Sequence, residues 1–290
     1  MEFIETLING LSIGSTYAMI ALGYTMVYGI AKMLNFAHGD VIMVGGYMIY
    51  VGLVATKNPV IAFAVSVLLC ILLGITIEKV AYKPLRGASP LAVLITAIGV
   101  SYLLQSTAQI IFGSAPKMVN IADLGSIQFA GLNIQVYILV TLACSTVIMT
   151  ALSLFVKFTR TGRAMIAVSE DKGAAQLMGI NVNRIIMITF AIGSGLAAFA
   201  GLFMLMKSPS LSNTLGAMPG IKAFTSAVIG GIGSIPGAML GGILMGVVEA
   251  ISLTIPPIAP YTDAIEFLIL IIILLVRPTG ILGKKRREKV

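Results

Sequence analysis

From Val136 to Val156 the chain runs without one charged residue. About 20 apolar residues in a helix cross the roughly 30 Å hydrocarbon core of a bilayer. Similar runs cover Ile4–Gly29, the stretch from Asp40 through Ala55, Val60–Ile77, Leu91–Phe112, Ile185–Met206, Lys222–Leu253 and Ile265–Val276. In lipid every backbone polar group must be satisfied within the protein, so runs of this kind are helices. The expected architecture is therefore all-α. It is a polytopic transmembrane helical bundle of about 8–9 crossings, some broken or re-entrant, in a single domain over residues 1–290. The composition agrees: 58% of residues are hydrophobic and only 10% are charged, where soluble domains carry about a quarter charged residues.

The net charge of +8 does not point to nucleic acid, because the basic residues flank apolar runs. They cluster at Lys79–Arg86, Lys157–Arg184 and Lys284–Lys289, the pattern of cytoplasmic segments under the positive-inside rule. With both Lys157–Arg184 and the tail 277–290 cytoplasmic, the stretch between them crosses an even number of times. Lys222–Leu253 is then a pair of helices, and the N-terminus lies outside. MEFIETLING lacks the basic region and cleavage site of a signal peptide and is expected to open the first span. Cys70 and Cys144 sit singly in apolar runs and are expected to be buried.

Polar residues inside these runs mark the interior. Asn35, His38 and Asp40 fall in AKMLNFAHGD, a break between spans. Either they line a path near the break, with Gly39 allowing the bend, or they satisfy backbone groups that the break frees. Ser101 and Gln105 lie mid-run and Glu249 lies in the glycine-rich stretch, where a carboxylate is a functional candidate. Gly230, Gly231, Gly233 and Pro236 predict that this stretch is two helices, since each interior glycine costs about 1 kcal/mol against alanine. Gly10/Gly14, Gly237/Gly241 and Gly242/Gly246 are spaced for close helix contact. In Lys157–Arg184, Thr161 is placed to cap a helix over Arg163–Met178, and Gly179 to stop it.

No enzyme constellation is present. One histidine and two separated cysteines give no metal set. G-x-x-x-x-G-K-[ST] is absent, so ATP hydrolysis is not expected within this chain.

Four segments carry a resemblance: Ala21–Tyr47 with NFAHGD, Leu94–Gln105, Thr159–Ile180 with TRTGRAM, and the RPTGILG of Arg277–Gly283. In these blocks, and over nearly its whole length, the chain resembles the branched-chain amino acid permease family of ABC importers, its LivH-type subunits in particular. That resemblance implies a membrane subunit passing leucine, isoleucine or valine inward by alternating access. It implies a second related permease, two cytoplasmic ATPases that use the ATP, an external solute-binding protein, and a place in the cell membrane with a cytoplasmic C-terminus. No cofactor is expected on this chain. Selectivity would lie mainly in the binding protein, so the permease would need no deep pocket.

The resemblance makes Lys157–Arg184 the coupling element. Against the importer pattern E-A-A-x-x-x-G, Gly173 replaces the glutamate while Ala174, Ala175 and Gly179 are kept. Thr161, Gly162, Arg163, Met165, Glu170 and Asp171 complete the expected ATPase-coupling set, with Arg163, Met165, Glu170 and Asp171 the expected main contacts. Asn35, His38, Gly39, Ser101, Gln105 and Glu249 are the translocation-path candidates. Related members carrying urea or short amides are the alternative within the family. A self-contained secondary transporter or channel is the alternative outside it.

Overall fold

The least apolar span is the one the others surround. In a computed structural model, which describes residues 2–121, 125–129 and 132–283, helix α1 (Glu2–Ala31) has an 18-residue apolar window that is 94% buried within the chain. Helix α4 (Pro90–Phe112) is apolar enough to face lipid, and only 17% of its corresponding window is buried. Serine, threonine and glycine send α1 to the centre because lipid satisfies none of their polar groups and small side chains permit close packing.

Among the described residues, eight helices are long and apolar enough to cross a membrane. Besides α1 and α4 they are α2 (His38–Thr56), α3 (Pro59–Ile77, continued as irregular helix to Leu85), α5 (Val136–Phe158), α8 (Val182–Lys207), α10 (Ile235–Thr254) and α11 (Thr262–Val276). Two short helices, α6 (Arg160–Glu170) and α7 (Lys172–Leu177), join α5 to α8, and α9 (Ala217–Gly230) precedes α10. A hairpin of β2 (Ser126–Phe129) with β3 (Leu132–Gln135), and a short pairing of β1 (Lys117–Met118) with β4 (Ser210–Leu211), occupy one end of the bundle.

Helices α1 and α10 run antiparallel along their glycines. A Cβ on Gly10 would meet the Cα of Val247 at 2.9 Å, and one on Gly14 would meet that of Ile243 at 2.7 Å. Gly242 and Gly246 answer from α10 against Ala18 and Gly14. The other glycine pair of α10, Gly237 and Gly241, faces α9 at Gly230 and Ser226. One helix thus seats two neighbours on two glycine faces.

The two-helix reading of Lys222–Leu253 holds. Helix α9 ends at Gly230, Gly231 takes φ +107°, and α10 starts with Ser234 as cap and Pro236 in its first turn. RPTGILG closes this corner: Ile281 and Leu282 N–H donate to the carbonyls of Ile229 and Gly230 at 2.8 and 2.9 Å. These are the orphan carbonyls that end a helix. Residues 284–290, with the KKRREK of the basic tail, lie outside the described residues.

The ends of α1, α3, α6, α7 and α9 and the segment 277–283 gather at one end of the bundle, here termed the basic end for Lys79, Lys83, Arg86, Arg160, Arg163 and Arg184. Arg86 there bonds Glu78 and the Asn183 side chain. Cys70 is buried as expected, but Cys144 is exposed on the outer side of α5. Small apolar side chains facing lipid carry no penalty there.

Candidate functional site

Three groupings contain the sequence-derived candidates. The first is the break between α1 and α2. Lys32 adopts φ 60°, unusual for a residue with a Cβ, and residues 32–37 leave the helix. Asn35 is buried, taking the Tyr82 hydroxyl on its Oδ1 at 2.9 Å while its carbonyl accepts the His38 N–H at 3.1 Å. Asn35 therefore satisfies groups around the break. His38 is buried against Gly23 and meets Tyr24 edge-on at 4.8 Å; its Nε2 has no hydrogen-bond partner. Because Gly23 lies well inside α1, α2 starts within the bundle and not at its end.

Gly39 is not the bend. It sits in the first turn of α2, packed against Gly216 and Gly220 at the start of α9, and the left-handed residue is Lys32. Two helix N-termini thus meet in the interior, and their positive dipole ends have Asp40 beside them. Asp40, buried in the first turn of α2, accepts the Gln105 amide at 2.8 Å, and that amide lies 3.4 Å from Ser101 Oγ. Ser101 and Gln105 thereby join α4 to the start of α2.

The second grouping surrounds Glu249, which is not a lone acid at a membrane face. Its Oε2 accepts the Tyr17 hydroxyl at 2.6 Å and the Lys222 ammonium at 3.1 Å. Lys222 also reaches Asp263 at 2.8 Å and Glu266 at 3.2 Å. Burial of such a set is tolerated only when charges are paired and hydrogen-bonded. Glu249 also borders a cavity of about 250 Å³ between α1, α5, α8 and α10. The sequence pointed to Glu249 as the carboxylate of the glycine-rich stretch and did not single out Glu266, which is buried too. Lys222 in an apolar stretch and Glu266 two residues before the unbroken aliphatic run Leu268–Val276 were the legible signals.

The third grouping is α6–α7 at the basic end. The expected single helix is two. Thr159, not Thr161, caps α6, accepting the Gly162 N–H at 2.9 Å, and Asp171 ends α6 and caps α7 by accepting the Ala174 N–H at 2.9 Å. Asp side chains compete with the helix for backbone N–H groups, which is why the chain breaks there. Gly179 takes φ +80° after α7, the expected stop.

Gly162, Met165 and Val168 face inward from α6, Gly162 against the α5 backbone at Phe155 and Val156. Met165 is only 1% exposed, so it cannot be a surface contact; Arg163, Glu170, Asp171 and Ala174 are exposed, Thr161 is half-buried, and Ala175 is buried. The sequence reading missed Leu177 and Met178, the last residue and C-cap of α7, which stand 91% and 82% exposed. Lys172 Nζ donates to the carbonyl of Ala31, the last residue of α1, at 2.7 Å. Burial, and then the Arg86 charge, hold the Lys172 ammonium below the ordinary lysine range.

No group of histidine, cysteine and carboxylate side chains able to hold a metal occurs among the described residues. Broken helices starting inside a membrane bundle, with polar side chains gathered at the breaks, define a multi-pass membrane transport protein. Comparison with known proteins gives the particular kind. Residues 6–274 match the model of the branched-chain amino acid transport system permease component, and the chain belongs to that family. It is 43% identical to the high-affinity branched-chain amino acid transport system permease protein BraD of Pseudomonas aeruginosa, over 100% of this chain and 98% of that protein. It is 40% identical to the corresponding LivH protein of Escherichia coli K12, with the same coverage. Among solved structures it is similar to PsaBC from Streptococcus pneumoniae in complex with Fab, with a TM-score of 0.48, 15% identity, and 96% and 91% of the two chains covered.

Proposed function

We propose that this chain is the membrane-crossing subunit of an ATP-driven importer for leucine, isoleucine and valine, working in the cell membrane. The observation that supports the substrate is full-length identity of 43% to a permease named for branched-chain amino acids. The partners are a second, related permease, two ATPases at the basic end, and a solute-binding protein at the other. The basic end is cytoplasmic, and with it the C-terminus, because Lys and Arg near span ends are retained on that side.

The geometry supplies a route for coupling. Leu177 and Met178 are the apolar knob that an ATPase groove covers, with the exposed Arg163, Glu170 and Asp171 beside it. Met165, Gly162 and Ala175 hold the unit to the bundle. Lys172 fastens it to the end of α1, where Lys32 begins the break. Closure of the ATPase pair moves α6–α7 as a rigid unit and, through Lys172, shifts α1 against α8 and α10. Asn35, His38 and Gly39 sit where that motion meets the interior.

The test is reconstitution of the permease pair with its ATPases in liposomes, with binding protein supplied. ATP-dependent uptake of leucine, isoleucine and valine is expected. Uptake of urea or a short amide in their place would move the assignment within the family, and gradient-driven uptake without ATPases would overturn it.

A further inference from the structure

The cavity beside Glu249 has the chemistry of a binding site. We infer that it is a transit site for a zwitterionic aliphatic amino acid, with Lys207 taking the carboxylate and the Glu249 wall taking the ammonium. At about 250 Å³ it lies near the lower end of small-ligand pockets, which run from about 300 to 1,000 Å³. A water molecule occupies only about 30 Å³ of liquid volume.

Its two charged walls differ in sign. On one side Glu249 lines the cavity, and behind it Asp263 and Glu266 share the Lys222 ammonium with it, a cluster with more acid than base. On the other, Lys207 closes α8 and lines the cavity, with no carboxylate within ion-pair distance among the described residues, though Glu249 lies within electrostatic reach. A ligand carrying both charges matches such a pair of walls, whereas a neutral amide matches neither.

A third observation is independent of charge. Thr141 also lines the cavity and is 1% exposed, and its Oγ1 has no hydrogen-bond partner. Native proteins seldom leave a buried hydroxyl unpaired, and a bound polar group supplies what this one lacks. Phe203 and Leu215 give the cavity an apolar wall for an aliphatic side chain. The resemblance implied no deep pocket in the permease, and this cavity departs from that expectation.

The inference rests on the amino acid reading above, so its test separates the two. The complex of permease pair and ATPases, without binding protein, is measured for equilibrium binding of radiolabelled leucine. Leucinol, which lacks the carboxylate, and 4-methylpentanoate, which lacks the ammonium, are the competitors. Wild type is expected to bind leucine at least tenfold tighter than either. Lys207→Met is expected to weaken leucine at least tenfold, to the level of leucinol, while leucinol binding stays unchanged; a loss of folding would weaken both. Thr141→Val is expected to weaken leucine several-fold. Unchanged leucine affinity in both variants, or equal wild-type affinity for leucine and leucinol, overturns the site. A wild-type complex that imports leucine normally and still fails this binding test sinks only the site; one that imports none of the three amino acids sinks the substrate reading, and the site with it.

Discussion

The interior of the bundle and its basic end invert one another. Inside, where neighbouring spans are apolar, the chain buries Asp40, Asn35, Lys222, Glu249 and Glu266, and gives most of them a partner. At the basic end, outside the spans, it leaves Leu177 and Met178 almost bare. A buried charge is expensive unless paired, and an isolated pair of exposed apolar side chains is cheap. The interior arrangement must therefore form within this chain, while the knob of α7 is free to wait for another. The contrast teaches where the subunit is self-sufficient and where it is incomplete.

The largest expected effect comes from breaking the interior. Lys222→Met removes the ammonium that is ion-paired with three carboxylates, and stranding one partner of a buried pair costs about 3–5 kcal/mol. The variant is expected to be poorly recovered as a monodisperse protein and to melt well below wild type in detergent. Lys222→Met combined with Glu249→Gln and Glu266→Gln should recover part of the loss; failure of the triple variant to regain any would show that Lys222 is held by packing and not by charge. Next is the knob. Leu177→Asp with Met178→Asp is expected to leave the melting temperature near wild type and to weaken ATPase copurification at least tenfold, since a well-packed apolar contact of about 2 kcal/mol exceeds that factor. Equal copurification would place the docking surface elsewhere.

Much of this was legible in sequence because lipid is a strict solvent. The span positions, the break at NFAHGD, the division at Gly230–Pro236 and the glycine faces of α1 and α10 follow from what a membrane forbids. The buried partners were not legible. Gln105 declares a need for a hydrogen bond, but that Asp40 meets it depends on α2 starting inside the bundle. Gly39 suggested a bend because glycine permits one; tertiary contact with Gly216 is what requires it, and Lys32 turns the chain instead. Thr161 and Thr159 are equally good caps by residue type, and only the end of α5 selects between them. Met165 belongs to a recognised motif, yet its inward face was visible only in the spacing of Gly162, Met165 and Val168.

Smaller effects sharpen the boundary between the two regions. Thr159→Ala removes the cap of α6 and is expected to cost about 1 kcal/mol, read as a modest fall in melting temperature with ATPase binding retained; a loss of binding larger than the loss of stability would show that the knob's orientation depends on that cap.

Lys172 sits on the boundary itself, part in the bundle and part in the coupling unit. Its ammonium is held below the ordinary lysine value of 10.5 in the folded protein, by burial first and the Arg86 charge second. Between that lowered value and 10.5 the unfolded chain carries more of this proton than the folded one, so the Lys172 contribution to stability rises with pH through that interval. The difference in melting temperature between wild type and Lys172→Met is therefore expected to move in favour of wild type as pH climbs from neutral toward 10. The same variant lacks the bond to the Ala31 carbonyl, and ATP hydrolysis by the ATPases in its complex is expected to persist while uptake per ATP falls. Unaltered uptake per ATP would mean that α1 is moved through α6 and the packing of Met165, with Lys172 serving only to fasten α7 in place.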